Sequence, residues 1–173
     1  MTQIRTRVLE VLDEQGIPYR LLPHSEPVFT VEAAARQRGV VKEEMVKTIL
    51  LRDRDGRYVV ACVTGDARVD PRRVRESLAT QAPGQWRRLY FAGPDEILAV
   101  TGCPMGAVAP VGLPEAVPVL FDEAIVACAR VSISSGDPML GLELDPQDLL
   151  RVTGARLAAI TEAPPRGGLD AER

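Results

Sequence analysis

Two apolar runs joined by an Asp-Gly turn constrain this chain more than any other feature. Lys47-Thr-Ile-Leu-Leu-Arg52 runs into Asp53-Arg-Asp-Gly56, and Tyr58-Val-Val-Ala-Cys-Val-Thr64 follows. Asp-Gly between two such runs is strong hairpin chemistry. In strand geometry Met45, Lys47, Ile49 and Leu51 share one face, and Val46, Thr48 and Leu50 share the other. Both faces are apolar apart from the lysine, so the strand is expected to be central and buried. A lysine there must either snorkel to solvent or meet an acceptor.

Helix and strand signals alternate around the hairpin. Ile4, Val8, Val11 and Leu12 recur at helical spacing with Gly16 as a stop, and 17–22 reads as a short strand. Pro23-His-Ser-Glu-Pro27 is a loop, Thr30 N-caps a helix closed by Gly39, and a turn over 42–45 leads into the hairpin. Asp70-Pro71 and Asp145-Pro146 each set an N-cap before proline, predicting helices over 71–78 and 147–152. Strands are expected at 88–91, 117–121, 127–133 and 140–144, and a short helix at 94–100. This order predicts an α/β (α+β) fold: a mixed, curved, barrel-like sheet with flanking helices. One domain is expected over 1–162, with 163–173 a disordered tail lacking a core pattern.

Composition narrows the function classes. Aromatic residues are only 4%, so the core must be aliphatic, and the net charge of -3 argues against a broad DNA-binding surface. A protein gripping only the end of a nucleic acid stays open. Cys62, Cys103 and Cys128 are far apart, with no CxxC or Cys/His cluster, so neither a metal site nor a disulfide framework is expected. The N-terminus lacks the apolar core of a signal peptide, and no apolar run approaches the ~20 residues of a membrane span. A cytoplasmic protein without a membrane partner is the expectation.

Two segments carry the candidate chemistry. Residues 102–112, Gly-Cys-Pro-Met-Gly-Ala-Val-Ala-Pro-Val-Gly, hold three glycines and two prolines in eleven positions. Such a loop is either a rigid turn or a source of free backbone N–H groups for a carbonyl or oxyanion. Lys47 is the matching cation, and together they would hold an oxygen-rich, negatively charged ligand. The loop is neither a Walker motif nor a dinucleotide fingerprint. His24 is the only histidine and no GxSxG elbow exists, so a serine triad has little to work with. Cys103 reads as a nucleophile or a passive small hydrophobe, and Ser132-Ile-Ser-Ser-Gly136 as a pocket-lining turn or a plain strand end. Arg72, Arg73 and Arg75 form either an RNA-contacting patch or a solvated helix face.

Taken in order, these segments resemble the YbaK/ProX family of trans-acting aminoacyl-tRNA editing domains, the prolyl-tRNA synthetase-associated type. The resemblance rests on Val46-Lys47-Thr48-Ile-Leu-Leu51, Val59-Val-Ala-Cys-Val-Thr64 and Thr101-Gly102-x-x-x-Gly106-Ala-Val-Ala-Pro110-Val-Gly112. Pro23-His24 with Phe29-Thr30-Val-Glu-Ala-Ala34 matches the family's early segment, and Val131-Ser-Ile-Ser134-Ser-Gly136 with Asp148-Leu-Leu150 its end. Coverage runs from about residue 5 to 161.

The resemblance implies a freestanding deacylase. It would hydrolyse the ester of a mischarged small amino acid on tRNA, tRNA(Pro)-type substrates being expected, with no metal or other cofactor. Lys47 would be the catalytic side chain. His24, Thr30, Gly102, Gly106, Ala107, Val108, Ala109, Pro110, Ser134 and Gly136 would form the substrate site. The implied partners are the tRNA acceptor end and an aminoacyl-tRNA synthetase, with no DNA. Family loops commonly read Gly-Gly-Val-Ser-Pro, so Ala107 and Ala109 are departures that bear on substrate identity; Cys103 and Leu22 also depart. The alternative is a non-catalytic module that binds a tRNA end or small molecule, or a regulatory partner of a synthetase.

Overall fold

The computed structural model describes residues 4–163. All of the expected tail except Ala163 lies outside the described residues. In chain order the elements are α1 (Arg7–Glu14), β1 (Tyr19–Pro23), α2 (Val31–Arg38), a 3-10 turn (Lys42–Glu44), β2 (Val46–Arg52) and β3 (Tyr58–Thr64). They continue with α3 (Pro71–Ala79), β4 (Tyr90–Phe91), α4 (Pro94–Thr101), β5 (Val119–Asp122) and α5 (Glu123–Val126). The last are β6 (Val131–Ser134), β7 (Leu140–Leu144), α6 (Pro146–Thr153) and β8 (Arg156–Ala158).

The hairpin forms in full register, from Val46 opposite Thr64 to Arg52 opposite Tyr58. Its turn is anchored by Asp53, whose side chain is fully buried. Asp53 Oδ1 accepts from the backbone N–H groups of Asp55 and Arg57, both at 2.9 Å, and Gly56 takes φ 79° to close the turn. The expected caps also form. Thr30 Oγ1 accepts from Ala33 N–H at 3.2 Å, Asp70 from Arg72 N–H at 2.9 Å and Asp145 from Gln147 N–H at 2.8 Å.

The strands make a mixed α/β fold with two sheets. A five-stranded sheet runs β4-β2-β3-β5-β8, antiparallel at the hairpin and parallel at β3-β5 and β5-β8. A three-stranded antiparallel sheet runs β1-β7-β6. The sheets do not close into a barrel; a single parallel bridge between Met45 and Ser132 joins them at the start of β2.

Side-chain alternation on β2, β3 and β5 gives the large sheet two buried faces. Val46, Leu50, Val60 and Phe121 pack with α1, α6 and the small sheet, including Leu12, Ile133, Leu142 and Leu149. Leu51, Val59, Val63 and Leu120 pack with α3 through Val74 and Leu78, and with Ile160. Both cores are aliphatic apart from Phe121 and the partly buried Tyr and Trp rings at their edges.

Two elements depart from the expected run. The strand expected over 127–133 starts only at Val131, because Asp122 Oδ1 accepts from Ala124 N–H at 3.1 Å and caps α5 directly after β5. β8 was not expected; its three residues form a strand by lying parallel beside β5, a long-range pairing that no local pattern encodes.

Candidate active site

One edge of β2 builds the candidate site. That edge is covered at its start by the Met45–Ser132 bridge and at its end by β4, which pairs at Leu51 and Arg52. Ala92 N–H also donates to Leu50 C=O at 3.0 Å. Between these covers lies a gap at Lys47, Thr48 and Ile49, and there a cleft of about 440 Å³ opens. Backbone groups alternate along a paired strand, so Thr48 N–H and C=O point the same way as Leu50 C=O, into the gap.

Lys47 projects from this gap on the α3 side of the sheet. Its Nζ donates to the Ala67 carbonyl, which leaves two of the three ammonium donors for a ligand. Burial, then the nearby Arg68 charge, holds its pKa below the usual lysine value, and Asp66 and Glu32 oppose that shift. The acceptor expected for a buried lysine is therefore a backbone carbonyl.

The second cation of the cleft is Arg38, at the end of α2. Its Nε donates to His24 Nε2 at 3.1 Å and its Nη1 to Ser132 Oγ at 3.1 Å. No carboxylate pairs with it among the described residues, and burial pushes its pKa down to about 10. The guanidinium lies across Gly141, where an added Cβ would sit 2.6 Å from Arg38 Cζ. No Asp or Glu lines the cleft among the described residues; the remaining wall is largely apolar, with Phe29, Ile97, Met105 and Val108. An apolar cleft holding two cations and no acid favours a ligand with an apolar part and an anionic or oxygen-rich part.

Of the residues singled out from the sequence, Thr30, Lys47, Gly106, Val108 and Ser134 line this cleft together. His24 stands behind it. Its Nδ1 donates to Pro138 C=O at 2.7 Å while Nε2 accepts from Arg38, an arrangement that requires the neutral ring. Burial, the largest influence, lowers its pKa in the same sense. Gly102 is instead the exposed C-cap of α4, and Gly136 sits in the turn after β6. Pro110 is buried away from the lining.

The departures at 107 and 109 fall on buried positions outside the lining, with Ala107 2% and Ala109 1% exposed. Their methyls pack inward. Ala107 C=O accepts from Ser134 Oγ at 2.8 Å, which ties the loop to β6. Gly106 approaches the Phe29 backbone so closely that a Cβ would lie 2.6 Å from Phe29 O. The N–H groups of Val108 and Ala109 donate to no protein acceptor among the described residues.

Arg38, Phe29, Thr48 and Phe91 are site residues that sequence reasoning missed. Arg38 looked like an ordinary basic residue at a helix end, and only the absence of a nearby acid could have marked it. The cysteines lie elsewhere: Cys62 is buried and its thiol is pushed up to about 12, and Cys103 is outside the lining. Among the described residues no three His, Cys, Asp or Glu side chains gather to hold a metal ion.

This geometry belongs to a known domain type. A profile of the aminoacyl-tRNA editing domain matches residues 25–152, most of the chain and all of the cleft. The chain belongs to the aminoacyl-tRNA editing domain family. Within it, this editing domain is 27% identical over 153 residues to the prolyl-tRNA editing protein ProX of Acetoanaerobium sticklandii, covering 86% of this chain and 89% of that protein. It is 29% identical over 109 residues to the proline–tRNA ligase of Bacillus licheniformis, covering 63% of this chain but only 18% of the ligase. The chain thus spans under a fifth of the ligase length. Among solved structures, the hypothetical protein APE2540 superposes with a TM-score of 0.81 at 29% identity, over 91% of this chain and all of that one. A protein named for a proposed trans-editing role toward prolyl-tRNA synthetase gives 0.75 at 27% identity, over 91% and 96% of the two chains. No helix among the described residues is long and apolar enough to cross a membrane.

Proposed function

We propose that this editing domain is a cytoplasmic deacylase acting in trans, hydrolysing the ester of a small amino acid mischarged onto tRNA(Pro)-type substrates. The observation that carries the reading is the cleft, free of lining carboxylates among the described residues, in which Lys47 and Arg38 stand against an apolar wall that includes Val108. Similarity to the ProX editing protein over most of both chains supports the same substrate class.

An aminoacyl ester is already activated, so positioning and charge stabilisation suffice. Water adds to the ester carbonyl carbon, the bond to the ribose oxygen breaks, and that oxygen leaves as the hydroxyl after taking a proton. Lys47 orients the terminal nucleotide through phosphate or ester oxygens. The N–H groups of Val108 and Ala109 donate to the ester carbonyl oxygen and polarise it. Thr30, Ser134 and Gly106 shape the wall, and His24 holds Arg38 in place. Phe29, Met105 and Val108 limit size, because one methylene is worth only ~1–3 kcal/mol in affinity and exclusion must be steric.

The test is a deacylation panel of tRNAs charged with Ala, Cys, Ser, Thr or Pro, run with the parent protein and Lys47→Ala. The expected result is release of one small amino acid, with kcat/KM lowered roughly 100-fold or more by the substitution, the scale of losing one stabilising group. Charged tRNA that is bound yet survives intact would favour a non-catalytic tRNA-end module instead.

A further inference from the structure

A second depression lies on the other side of Phe91. It measures about 320 Å³, and its walls include Asp70, Arg72, Arg75, Arg88, Tyr90 and Phe91. Phe91 is 61% exposed and lines both this groove and the ester cleft, so the two are neighbours with that ring as a common wall. Arg72 and Arg75 stand one turn apart on α3, and the Arg88 guanidinium lies 5.4 Å from the Tyr90 ring centroid.

The charges in the groove are unequally committed. Asp70 is its one carboxylate, and it already pairs with Arg72 at 3.5 Å and Arg73 at 4.0 Å. Neither Arg75 nor Arg88 has an ion pair among the described residues. In a chain of net charge -3 this is a local positive surface against the overall sign. It borders a cleft with room for an aminoacyl group and little beyond the nucleoside that carries it. The nucleotides preceding that terminal one must therefore lie outside, on an adjoining surface.

We infer that the groove of Arg75, Arg88, Tyr90 and Phe91 is a track for the unpaired 3′ end of an RNA, leading past Phe91 into the ester cleft. The inference rests on the deacylase reading and adds the surface that delivers the substrate. Arg75 and Arg88 contact successive phosphates, while the exposed Phe91 ring offers a face on which a base stacks, the combination that single-stranded nucleic acids use. An acidic peptide would satisfy the arginines but leaves the exposed Phe91 ring and the wall shared with the cleft without a use.

The experiment compares the parent with the double variant Arg75→Ala, Arg88→Ala by fluorescence anisotropy. The probes are an RNA hairpin ending in an unpaired 3′ overhang and the same hairpin with a blunt end. Both arginines are exposed, and a matching unfolding midpoint checks that the variant folds. The expected result is affinity for the overhang weakened roughly tenfold and its salt slope reduced by about 1.4, with a much smaller effect on the blunt hairpin. Equal binding by parent and variant, equal losses on both hairpins, or no binding of the overhang by the parent would overturn the track. Hydrolysis of charged tRNA, measured alongside, separates the two readings. A parent that hydrolyses while the variant binds and hydrolyses equally well leaves the deacylase standing and the track wrong. A parent that hydrolyses nothing removes the deacylase, and the overhang comparison still decides the track.

Discussion

Two buried interactions near the cleft depend on single atoms. His24 must stay neutral, because Nε2 accepts from Arg38 and a protonated ring would set two cations face to face. Its pKa is lowered on folding, so the unfolded chain binds the proton more readily and stability falls as pH drops below about 6.5, the unfolded value. Urea midpoints at about pH 7.5 and about pH 5 should therefore diverge more for the parent than for His24→Gln. Equal divergence would mean that other groups carry the acid sensitivity. Gly106 is the second such position: with φ 87° and the Phe29 carbonyl against its Cα, alanine is both strained and crowded. Gly106→Ala should lose about 1–3 kcal/mol of stability and displace Phe29 from the cleft wall, seen as a lower urea midpoint together with a raised KM.

The elements that frame the site are stapled by side chains acting on backbone. Asp53 is the strongest instance. Besides holding the hairpin turn, its Oδ2 accepts from Arg87 N–H at 3.4 Å, so one carboxylate ties the β2–β3 hairpin to the segment that leads into β4. Asp53→Ala is expected to cost about 1–3 kcal/mol in chemical denaturation, since it leaves buried donors without an acceptor. It should also loosen β4, which bounds the cleft at Leu51 and carries Phe91. Asp-Gly announced this turn in the sequence because its chemistry is local. The contact to Arg87 is 34 residues distant and was not legible there.

Across the whole molecule, the large sheet is shared by two cores and carries the cleft on its uncovered edge. Leu120 and Phe121 are neighbours on β5 that face opposite cores, 1% and 0% exposed. Leu120→Ala should cost about 2–5 kcal/mol, and unfolding should remain one transition, because neither core survives without the sheet between them. Two separated transitions in a urea titration would contradict that shared dependence. Asp122 adds a hydrogen-bonded link at the same end: it caps α5 through Oδ1 and accepts Ile160 N–H through Oδ2 at 3.1 Å, fastening the segment after β8 to β5.

The hairpin, the capped helices and the order of Lys47 before the glycine loop were decided by residues acting on near neighbours, where turn chemistry, capping and alternation operate over a few positions. Those features were legible in the sequence, together with the likeness to the editing family. The cleft itself was decided only in three dimensions. It exists because β6 reaches β2 at Met45 and β4 reaches it at Leu51, leaving Lys47, Thr48 and Ile49 uncovered. Arg38 belongs to it because α2 lies over Gly141 and Ser132, about a hundred residues downstream in the chain. β8 is a strand because β5 offers it an edge, and Phe91 comes to wall both groove and cleft because β4 pairs with the end of β2. Contacts between distant segments depend on how whole elements pack, and no local rule of sequence carries that information.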